Sequence, residues 1–544
     1  MSLNRLFILS IVVVLAACNN TPDNHTKKIS DTATTIISDT ATTSPAGPLI
    51  AVADAYSNLF TDSEQVQKFI SRQQVEAAAA DDIRKFYVYR SYQFAWLNDS
   101  GFTEQALAFR SLYDYDRDSS TKRTSLDNRM DELVNADSLK PAATDPQIVS
   151  TELMMTWRLV NYMTKKLPTT DRLPEKLNAL VPVSKRDVND WISFMTADPP
   201  AIATGNKWLE GLQKALQQLI SLQKKGGWDT LPISRKPYAT KKPSSFFRLL
   251  KKRLSETGQL TASDTTNAFT PALAAAIKTA QSQFGYIHDT RITPKLLRAL
   301  NVPVEERIRQ VIVNMVRMQW MPEISGKEYI LVNIPEYRLY VMDNGNINFG
   351  MDVITGKEGH ATVMFSGHLN QIVFSPYWNL PASIVKKEIL PKLQKNKHYL
   401  KKQDMEIKGY RSGMPVIRQL PGEKNELGKI KFLFPNSQHI YFHDTPHKWL
   451  FKKDVRAYSH GCIRLAEPEK LAAYLLADNG RWTNEKIDSA MNSGEEKYVR
   501  LKKQIPVLIY YFTAWVDDTG VIQYRNDVYG HDAALGARIF RQTY

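Results

Sequence analysis

In the sequence near residue 460, a thiol, two imidazoles and a glycine fall within twenty residues of one another. Cys462 follows Ser459-His460-Gly461, and a second histidine, His443, stands nineteen residues before the cysteine. A thiol beside cationic groups and just before a helix is expected to have a lowered pKa, and its thiolate is a nucleophile. With a nearby imidazole as base, the pattern predicts a cysteine acyl-transfer site. The alternative is a buried and inert cysteine, since free cysteines are among the most buried residues.

The longer stretch from Tyr441 to Leu465, YFHDTPHKWLFKKDVRAYSHGCIRL, resembles the active-site signature of the L,D-transpeptidases with a YkuD-type fold. This resemblance implies that Cys462 attacks a peptidoglycan stem peptide and that His443 is the base. It also implies that the backbone carbonyl of Asp444 orients the imidazole. The implied supporting and oxyanion loop, with amides of Gly461 and Cys462 facing the oxyanion, consists of Ser459, His460, Gly461 and Arg464.

Several of these residues have an alternative role. Arg464 is expected either to bind substrate or to hold a backbone carbonyl, and Tyr377 and Trp378 either to pack in a core or to stack on substrate. A zinc site would need nitrogen or sulfur ligands beyond His443, His460 and Cys462, and the motif supplies none nearby. The implied thioester chemistry uses neither a metal nor another cofactor.

The flanking sequence predicts a multidomain protein whose catalytic domain is mostly β and covers 325–532. Segments rich in β-branched and aromatic residues predict its strands: Tyr329–Ile334, Arg338–Met342, Asn346–Thr355, Gln371–Phe374 and Ile505–Phe512. The stretches ILVNIPEYRLYV and FSPYWNLPASIVKKEILPKL also resemble the larger, multidomain branch of the family. In that branch an inserted helical lid covers the catalytic groove, which here implies a lid over about 382–429.

The chain before the catalytic domain has a helical pattern throughout. Apolar residues at helical spacing predict a helical scaffold domain over 51–228. Residues 229–302 predict three short helices, two opened by Thr-Pro, since threonine caps and proline suits the first turn. LLKKRLSETGQL and FTPALAAAIKTAQSQFGY resemble a small peptidoglycan-binding domain, with a generic helical bundle as the alternative. A linking helix is predicted over 303–324 and a C-terminal tail over 533–544.

The N-terminus has the composition of an export signal. Arg5 precedes a short apolar run, Leu6 to Val14, which is too short to span a bilayer. The run ends in Leu-Ala-Ala-Cys, which resembles a lipoprotein signal over 1–17 that is cleaved before a lipidated Cys18. An ordinary signal peptide is the alternative. Residues 18–50, rich in Thr, Ser and Asp, predict a flexible tether. Both readings predict an exported protein, and the lipoprotein reading predicts anchoring in the cell envelope facing the periplasm.

The net charge of +15 excludes no class of partner by itself. For an exported chain it favours lipid headgroups and cell-wall carboxylates, and no nucleic-acid-binding signature accompanies it. We expect a monomer, and the family resemblance implies that it acts on stem peptides and forms cross-links by releasing a terminal D-Ala. Two alternatives stay open: a carboxypeptidase or endopeptidase on the same fold, and a catalytically inactive wall-binding lipoprotein.

Overall fold

The structure, a computed structural model, describes residue 50 and residues 54–541 apart from gaps at 118–121, 136–139, 167–172, 198–205, 235–237, 239, 262–263, 324–327 and 479. The predicted signal peptide, Cys18 and nearly all of the predicted tether therefore lie outside the described residues. Within the described part, no helix combines the length and hydropathy needed to cross a bilayer.

The N-terminal region is helical, as the apolar spacing predicts. Its helices are α1 Ser63–Gln73, α2 Ala77–Tyr89, α3 Glu104–Asp116, α4 Ser125–Asn135, α5 Pro146–Lys166, α6 Leu173–Leu180, α7 Val188–Ala197 and α8 Lys207–Lys224, with a hairpin of β1 Leu97–Asn98 and β2 Gly101–Phe102. The hairpin is fixed by the buried carboxylate of Glu152, which accepts hydrogen bonds from the amides of Ala95, Trp96 and Leu97. These contacts satisfy backbone groups that burial would otherwise leave unpaired.

Three short helices follow, α9 Ser245–Glu256, α10 Pro271–Gln283 and α11 Pro294–Leu300. The predicted caps are confirmed, because the hydroxyls of Thr270 and Thr293 accept hydrogen bonds from the amides of Leu273 and Leu296. The linking helix α12, Val304–Met318, is buried on several sides rather than along one stripe. It packs against α8 and against a C-terminal hairpin, so it is a central helix of the molecule.

The catalytic region begins with four strands close to the predicted ones: β3 Glu328–Asn333, β4 Arg338–Asp343, β5 Asn346–Gly356 and β6 Phe365–Phe374. Next come β7 Trp378–Asn379, α13 Ala382–Ile384, α14 Leu390–Lys395, α15 Tyr399–Lys402, β8 Met405–Arg411 and β9 Met414–Gln419. A π-helical turn, Val385–Ile389, joins α13 to α14. The insertion (residues 382–429) is thus only partly helical. Its strands β8 and β9 form a small separate sheet with β7, which lies just before the insertion. The predicted inserted lid therefore has helices in its first part and the strands β8 and β9 in its second.

The remaining elements are β10 Ile430–Leu433, β11 Phe442–His443, β12 Ala457–Ser459, β13 Ile463–Leu465, α16 Pro468–Leu476, α17 Asn484–Met491, β14 Lys497–Tyr510, β15 Ala514–Val516, β16 Ile522–Tyr524 and α18 His531–Ile539. The main sheet has the order β12-β5-β13-β11-β10-β6-β14-β3-β4, and β4 also pairs with β5. Because β5 pairs with β4 along its first part and with β13 and β12 along its end, the sheet curls and closes on itself.

Buried contacts join the helical region to the catalytic sheet. Arg317 of α12 pairs with Glu104 of α3 and with Asp532 of α18, each at 2.5 Å. Residues 533–544, predicted as a tail, instead include most of helix α18, whose Leu535 and Ile539 are buried. A buried arginine with two carboxylate partners fixes relative orientation strongly, because losing one partner leaves an uncompensated charge.

Candidate active site

The register of two neighbouring strands brings the motif residues to one face of the sheet. Strands β11 and β13 are parallel, with Phe442 opposite Ile463 and His443 opposite Arg464. One residue earlier the pairing continues, since the Ile463 amide donates to the Tyr441 carbonyl at 3.1 Å. Side chains alternate along strands, so Phe442 and Ile463 enter the core. The opposite face therefore carries Tyr441, His443, Cys462 and Arg464.

The His443 imidazole is held in its neutral form. Its Nδ1 lies 2.5 Å from the carbonyl oxygen of Asp444. A carbonyl only accepts, so the proton sits on Nδ1 and the lone pair is left on Nε2. Burial, together with the positive charge of Arg464, lowers the pKa of His443 to about 3. The geometry matches the role that the sequence predicts for the Asp444 carbonyl.

Cys462 differs electrostatically from the sequence expectation. Burial raises the pKa of the Cys462 thiol, although the backbone and side chain of Tyr441 and the charge of Arg464 oppose this shift. The expected helix dipole is remote, because strand β13 separates the cysteine from α16, which begins at Pro468. Sγ lies 3.7 Å from the carbonyl oxygen of His439. The resting pair is thus a neutral thiol and a neutral imidazole.

No hydrogen bond joins the Cys462 thiol to the His443 imidazole among the described residues. In the parallel register Cys462 lies opposite Tyr441, so His443 is its diagonal neighbour on the same face. Catalytic hydrogen bonds are often long before substrate binds and tighten in the complex. The arrangement is therefore compatible with proton transfer once a substrate seats between the strands.

The loop before Cys462 is fixed by Ser459. Its Oγ accepts from the Gly461 amide at 3.1 Å and donates to the Cys462 carbonyl at 2.5 Å. Gly461 has a φ of +109°, a region that favours glycine. Since the Gly461 amide is engaged within the loop, only the Cys462 amide of the two expected oxyanion donors has no backbone or side-chain acceptor in the described part of the chain.

A buried threonine supports this loop from beneath, and the sequence analysis does not identify it. The Thr362 hydroxyl donates to the Gly461 carbonyl at 2.8 Å and accepts from the Gly356 amide at 2.9 Å. Gly356 is required there, because a Cβ would lie 2.1 Å from the His360 carbonyl oxygen. The hydroxyl of Tyr529, from the C-terminal end, donates to the Gly356 carbonyl at 2.6 Å.

The His439 carbonyl that faces the thiol is set by a strained turn. His439 has a φ of +53°, unusual for a residue with a side chain. Asn436 closes this turn: Oδ1 accepts from the Ile440 amide at 3.0 Å, and Nδ2 donates to the Phe434 and Ile440 carbonyls at 2.7 Å. A single asparagine in a polar turn gives no sequence signal of such a role.

The other predicted site residues lie around the insertion. Nε2 of His460 is 2.9 Å from Glu388, and Nη2 of Arg464 is 3.9 Å from Glu426, both glutamates belonging to the insertion. The Arg464 Nε is buried and has no hydrogen-bond partner in the part of the chain that the structure describes. The Asp444 carboxylate accepts from the Lys429 amide at 2.9 Å and pairs with Lys448 at 2.6 Å.

Tyr377 and Trp378 lie at the base of the insertion. Trp378 packs against the small apolar cluster of the insertion, which contains Leu380, Val385, Ile389 and Ile417. The Tyr377 ring lies under the guanidinium of Arg418 at 4.0 Å. These contacts favour packing over substrate stacking. Among the described residues, no group of three or more His, Cys, Asp or Glu side chains is arranged to hold a metal ion.

Two family models match the chain: the YkuD L,D-transpeptidase catalytic domain over residues 327–509 and the scaffold domain over residues 81–197. A Haemophilus influenzae protein named "Putative L,D-transpeptidase" is 29% identical over 243 residues, which are 42% of this chain and 49% of that protein. The chain thus spans about half the length of this curated relative.

Solved structures with detectable similarity include an L,D-transpeptidase from Stackebrandtia nassauensis, 14% identical, covering 52% of this chain and 96% of that one with a TM-score of 0.21. Another, from Mycobacterium smegmatis, is 14% identical and covers 34% and 58% with a TM-score of 0.19. The chain therefore contains a YkuD L,D-transpeptidase catalytic domain over residues 327–509 and, before it, a scaffold domain over residues 81–197.

Proposed function

We propose that this chain forms peptidoglycan cross-links by cysteine acyl transfer, with Cys462 as nucleophile and His443 as base. The observation that carries the proposal is the shared face of β11 and β13. There a thiol lies diagonal to an imidazole whose Nδ1 is tied to the Asp444 carbonyl at 2.5 Å. With the ring proton on Nδ1, Nε2 carries the lone pair that would accept the thiol proton. A base held by a third group is the usual arrangement for an activated nucleophile.

In the first half-reaction the Cys462 proton moves to Nε2 of His443, and Sγ attacks the carbonyl carbon of the third stem residue. The oxyanion accepts hydrogen bonds from the Cys462 amide and the Tyr441 hydroxyl. When the tetrahedral adduct collapses, the carbon–nitrogen bond breaks and the imidazolium proton passes to the departing D-Ala amine. The product is a thioester on Cys462. Since thiol and imidazole both start neutral, the proton transfer accompanies the attack of Sγ on the bound carbonyl, whose oxyanion these two donors stabilise.

In the second half-reaction the side-chain amine of another stem peptide attacks the thioester carbonyl. His443 takes the amine proton, the carbon–sulfur bond breaks, and the proton returns to Sγ. A water molecule in place of the amine would give a carboxypeptidase or endopeptidase. The insertion favours transfer, because His460 contacts Glu388 and Arg464 approaches Glu426, so the insertion reaches the catalytic loop from two points. These contacts restrict water at the thioester.

The proposal includes export and a lipid anchor on Cys18, because peptidoglycan lies outside the cytoplasm. We expect the full-length protein to fractionate with membranes and detergent, and Cys18→Ser to become soluble. Stable anchoring needs at least two acyl chains. Recovery of unmodified full-length protein in the soluble fraction would favour the ordinary signal peptide instead.

The chemistry is tested on the soluble chain with a disaccharide-tetrapeptide and a carbapenem. Intact-mass spectrometry should detect a covalent carbapenem adduct on the wild type and none on Cys462→Ala. Product analysis should give cross-linked dimer from the wild type only. Tripeptide without dimer would favour the hydrolase, and an adduct of equal yield on Cys462→Ala would remove Cys462 as nucleophile. Absence of both products and adduct would favour the inactive wall-binding alternative.

A further inference from the structure

A large cavity lies away from the catalytic cysteine, where several distant parts of the chain meet. It has a volume of about 810 Å³ and takes residues from the start of α8, the end of α10, the β3–β5 edge of the main sheet, the segment before β12 and the C-terminal hairpin β15–β16. Its lining includes Asp352 of β5 but no residue of the Ser459–Arg464 segment. Farther along β5, Gly356 pairs with Ser459. Four extended residues span about 13 Å, so the cavity and the catalytic loop are near but separate.

The walls of the cavity are rich in half-buried aromatic rings, contributed by Trp208, Tyr286, Tyr340, Phe451 and Trp515. The side chains of Ile287 and Ile347 are 59% and 46% exposed where they line it. Ligand sites are typically lined by apolar and aromatic side chains with a few fixed polar groups. Flat aromatic faces suit the C–H faces of pyranose rings, which are apolar while their edges carry hydroxyl and amide groups.

Five acidic and five basic side chains line the cavity, and half of these ten are paired with one another. Asp352 lies 3.1 Å from Arg338 and 3.2 Å from Arg456, and Glu336 lies 3.4 Å from Arg525. Ion pairs of this kind present hydrogen-bond donors and acceptors without a strong net field. A neutral polar ligand is therefore favoured. Both an anion, such as a phosphate, and a strongly cationic peptide fit this balance of charges less well.

The cavity floor is fixed before any ligand binds. Nη1 of Arg525 donates to the Gln283 carbonyl at 2.9 Å, and its guanidinium lies 4.7 Å from the centre of the Trp515 ring. The Tyr340 hydroxyl donates to buried Glu336 at 2.6 Å. A Cβ at Gly285 would lie 2.6 Å from Arg525 Nε, so only glycine admits this close approach. Preorganised walls reduce the entropic cost of binding.

We propose that this cavity binds the glycan strand of peptidoglycan, a neutral chain of N-acetylated amino sugars. The inference rests on the proposed function, because it takes the reacting stem peptide to be attached to such a strand. Holding the strand beside the catalytic loop raises the effective concentration of that peptide at Cys462. The site would thus select polymeric over free stem peptides, and it would do so without contacting the reacting atoms.

The test uses the full soluble chain carrying Cys462→Ala, so that nothing turns over. A tetramer and a hexamer of N-acetylglucosamine, which are neutral like the amide-linked strand, are titrated by calorimetry. We expect both to bind, and Trp515→Ala and Tyr340→Ala each to weaken binding at least fivefold. Tyr498→Ala, an exposed ring outside the cavity, is the matched control. If Trp515→Ala or Tyr340→Ala unfolds, Ile347→Arg replaces it. Ile347 is exposed where it lines the cavity, so the larger arginine should narrow the cavity entrance and weaken binding similarly.

Three outcomes overturn the glycan site: no binding of either saccharide, binding insensitive to all three cavity variants, or displacement of the saccharide by a free stem tetrapeptide. A failed acyl-transfer assay on wild type, together with Trp515-dependent saccharide binding, would instead remove only the proposed chemistry. If both hold, wild type should prefer strand-linked over free tetrapeptide, and Trp515→Ala should lose that preference with kcat on free peptide unchanged.

Discussion

Nε2 of His460, two residues before the proposed nucleophile, lies 2.9 Å from Oε1 of Glu388 in the insertion. Partial burial and the nearby charge of Lys357 lower the pKa of His460, so a neutral imidazole donates to the carboxylate near neutral pH. This contact joins the π-helical turn of the insertion directly to the catalytic loop. The adjacent contact of His447 with Glu426, 3.1 Å, fastens the other end of the insertion.

Removing the acceptor at Glu388 should loosen the insertion without unfolding the protein. Both side chains of the pair are partly exposed, so the contact contributes at most about 1 kcal/mol. We expect Glu388→Ala to speed amide exchange in residues 382–395 about two- to fivefold, measured by hydrogen exchange and mass spectrometry. Glu423→Gln, an exposed position in the same insertion, is the control. Unchanged exchange in Glu388→Ala would mean that the contact does not hold the insertion.

Stability should fall at acidic pH because His443 resists protonation in the folded state. Its pKa is about 3 when folded and about 6.5 when unfolded. The unfolded chain binds more protons below pH 6.5, so the contribution is complete above that value and is lost as pH falls toward 3. We expect His443→Gln to flatten the pH dependence of the urea midpoint between pH 7 and 4. His288→Gln, on an exposed side chain, is the control, and an equal slope in both variants would contradict the assignment.

Thr362 should matter for activity although it touches no substrate. Thr362→Val keeps the shape but leaves the Gly461 carbonyl and the Gly356 amide without their partner, at a cost of about 1–3 kcal/mol for each buried group. We expect a lower melting temperature and slower acylation by a carbapenem, with Thr362→Ser retaining most of both. Equal acylation rates in Thr362→Val and wild type would show that the loop is positioned by Ser459 alone.

The Tyr441 hydroxyl is expected to assist the nucleophile. Burial raises the pKa of Tyr441 well above its usual range, so the group stays a neutral donor beside the thiol. Loss of one oxyanion donor typically lowers the rate by about 10²- to 10³-fold. We expect Tyr441→Phe to lower the acylation rate by about 10² while KM changes little, measured by stopped-flow. Tyr458→Phe, an exposed neighbour on β12, controls for general effects, and a wild-type rate in Tyr441→Phe would exclude the role.

The sequence predicts most of the strands and the helix starts well because both depend on local patterns. Segments rich in β-branched and aromatic residues predict the bounds of β3, β4 and β5 to within a few residues, but only the second part of β6. Thr-Pro pairs predict where α10 and α11 begin. The motif also identifies His443 and Cys462 without reference to tertiary structure. These are properties of neighbouring residues, so no long-range contact is needed to read them.

What the sequence misses depends on contacts between distant segments. The raised pKa of Cys462 follows from burial, which its neighbours in sequence do not reveal. Thr362 meets Gly461 only because β5 and the catalytic loop are adjacent in the closed sheet. Helix α18 has no strong amphipathic signal, yet it docks because Ile539 accepts from the Trp191 indole at 2.7 Å. The β-hairpin of the insertion pairs with β7, across a segment that reads as helical.

The insertion should decide between transfer and hydrolysis. Strands β7 and β9 pair as Trp378–Gln419 and Asn379–Arg418, so a short Gly/Ser loop can replace residues 380–417 between adjacent ends. The small apolar cluster of the insertion is separate from the core of the main sheet, so the sheet should keep its fold. The deleted segment also carries eight exposed lysines that would attract stem-peptide carboxylates: Lys386, Lys387, Lys392, Lys395, Lys397, Lys401, Lys402 and Lys408.

Incubated with disaccharide-tetrapeptide, the shortened protein should yield less cross-linked dimer and more hydrolysed tripeptide, because water reaches the thioester before an amine does. Reversing several of the lysines to glutamate in the full-length insertion should raise KM for the donor, and added salt should reduce this difference. The matched control keeps the insertion and carries Glu423→Gln. If the shortened protein melts at a temperature near that of the wild type and its dimer-to-tripeptide ratio is unchanged, the insertion does not control water at the thioester.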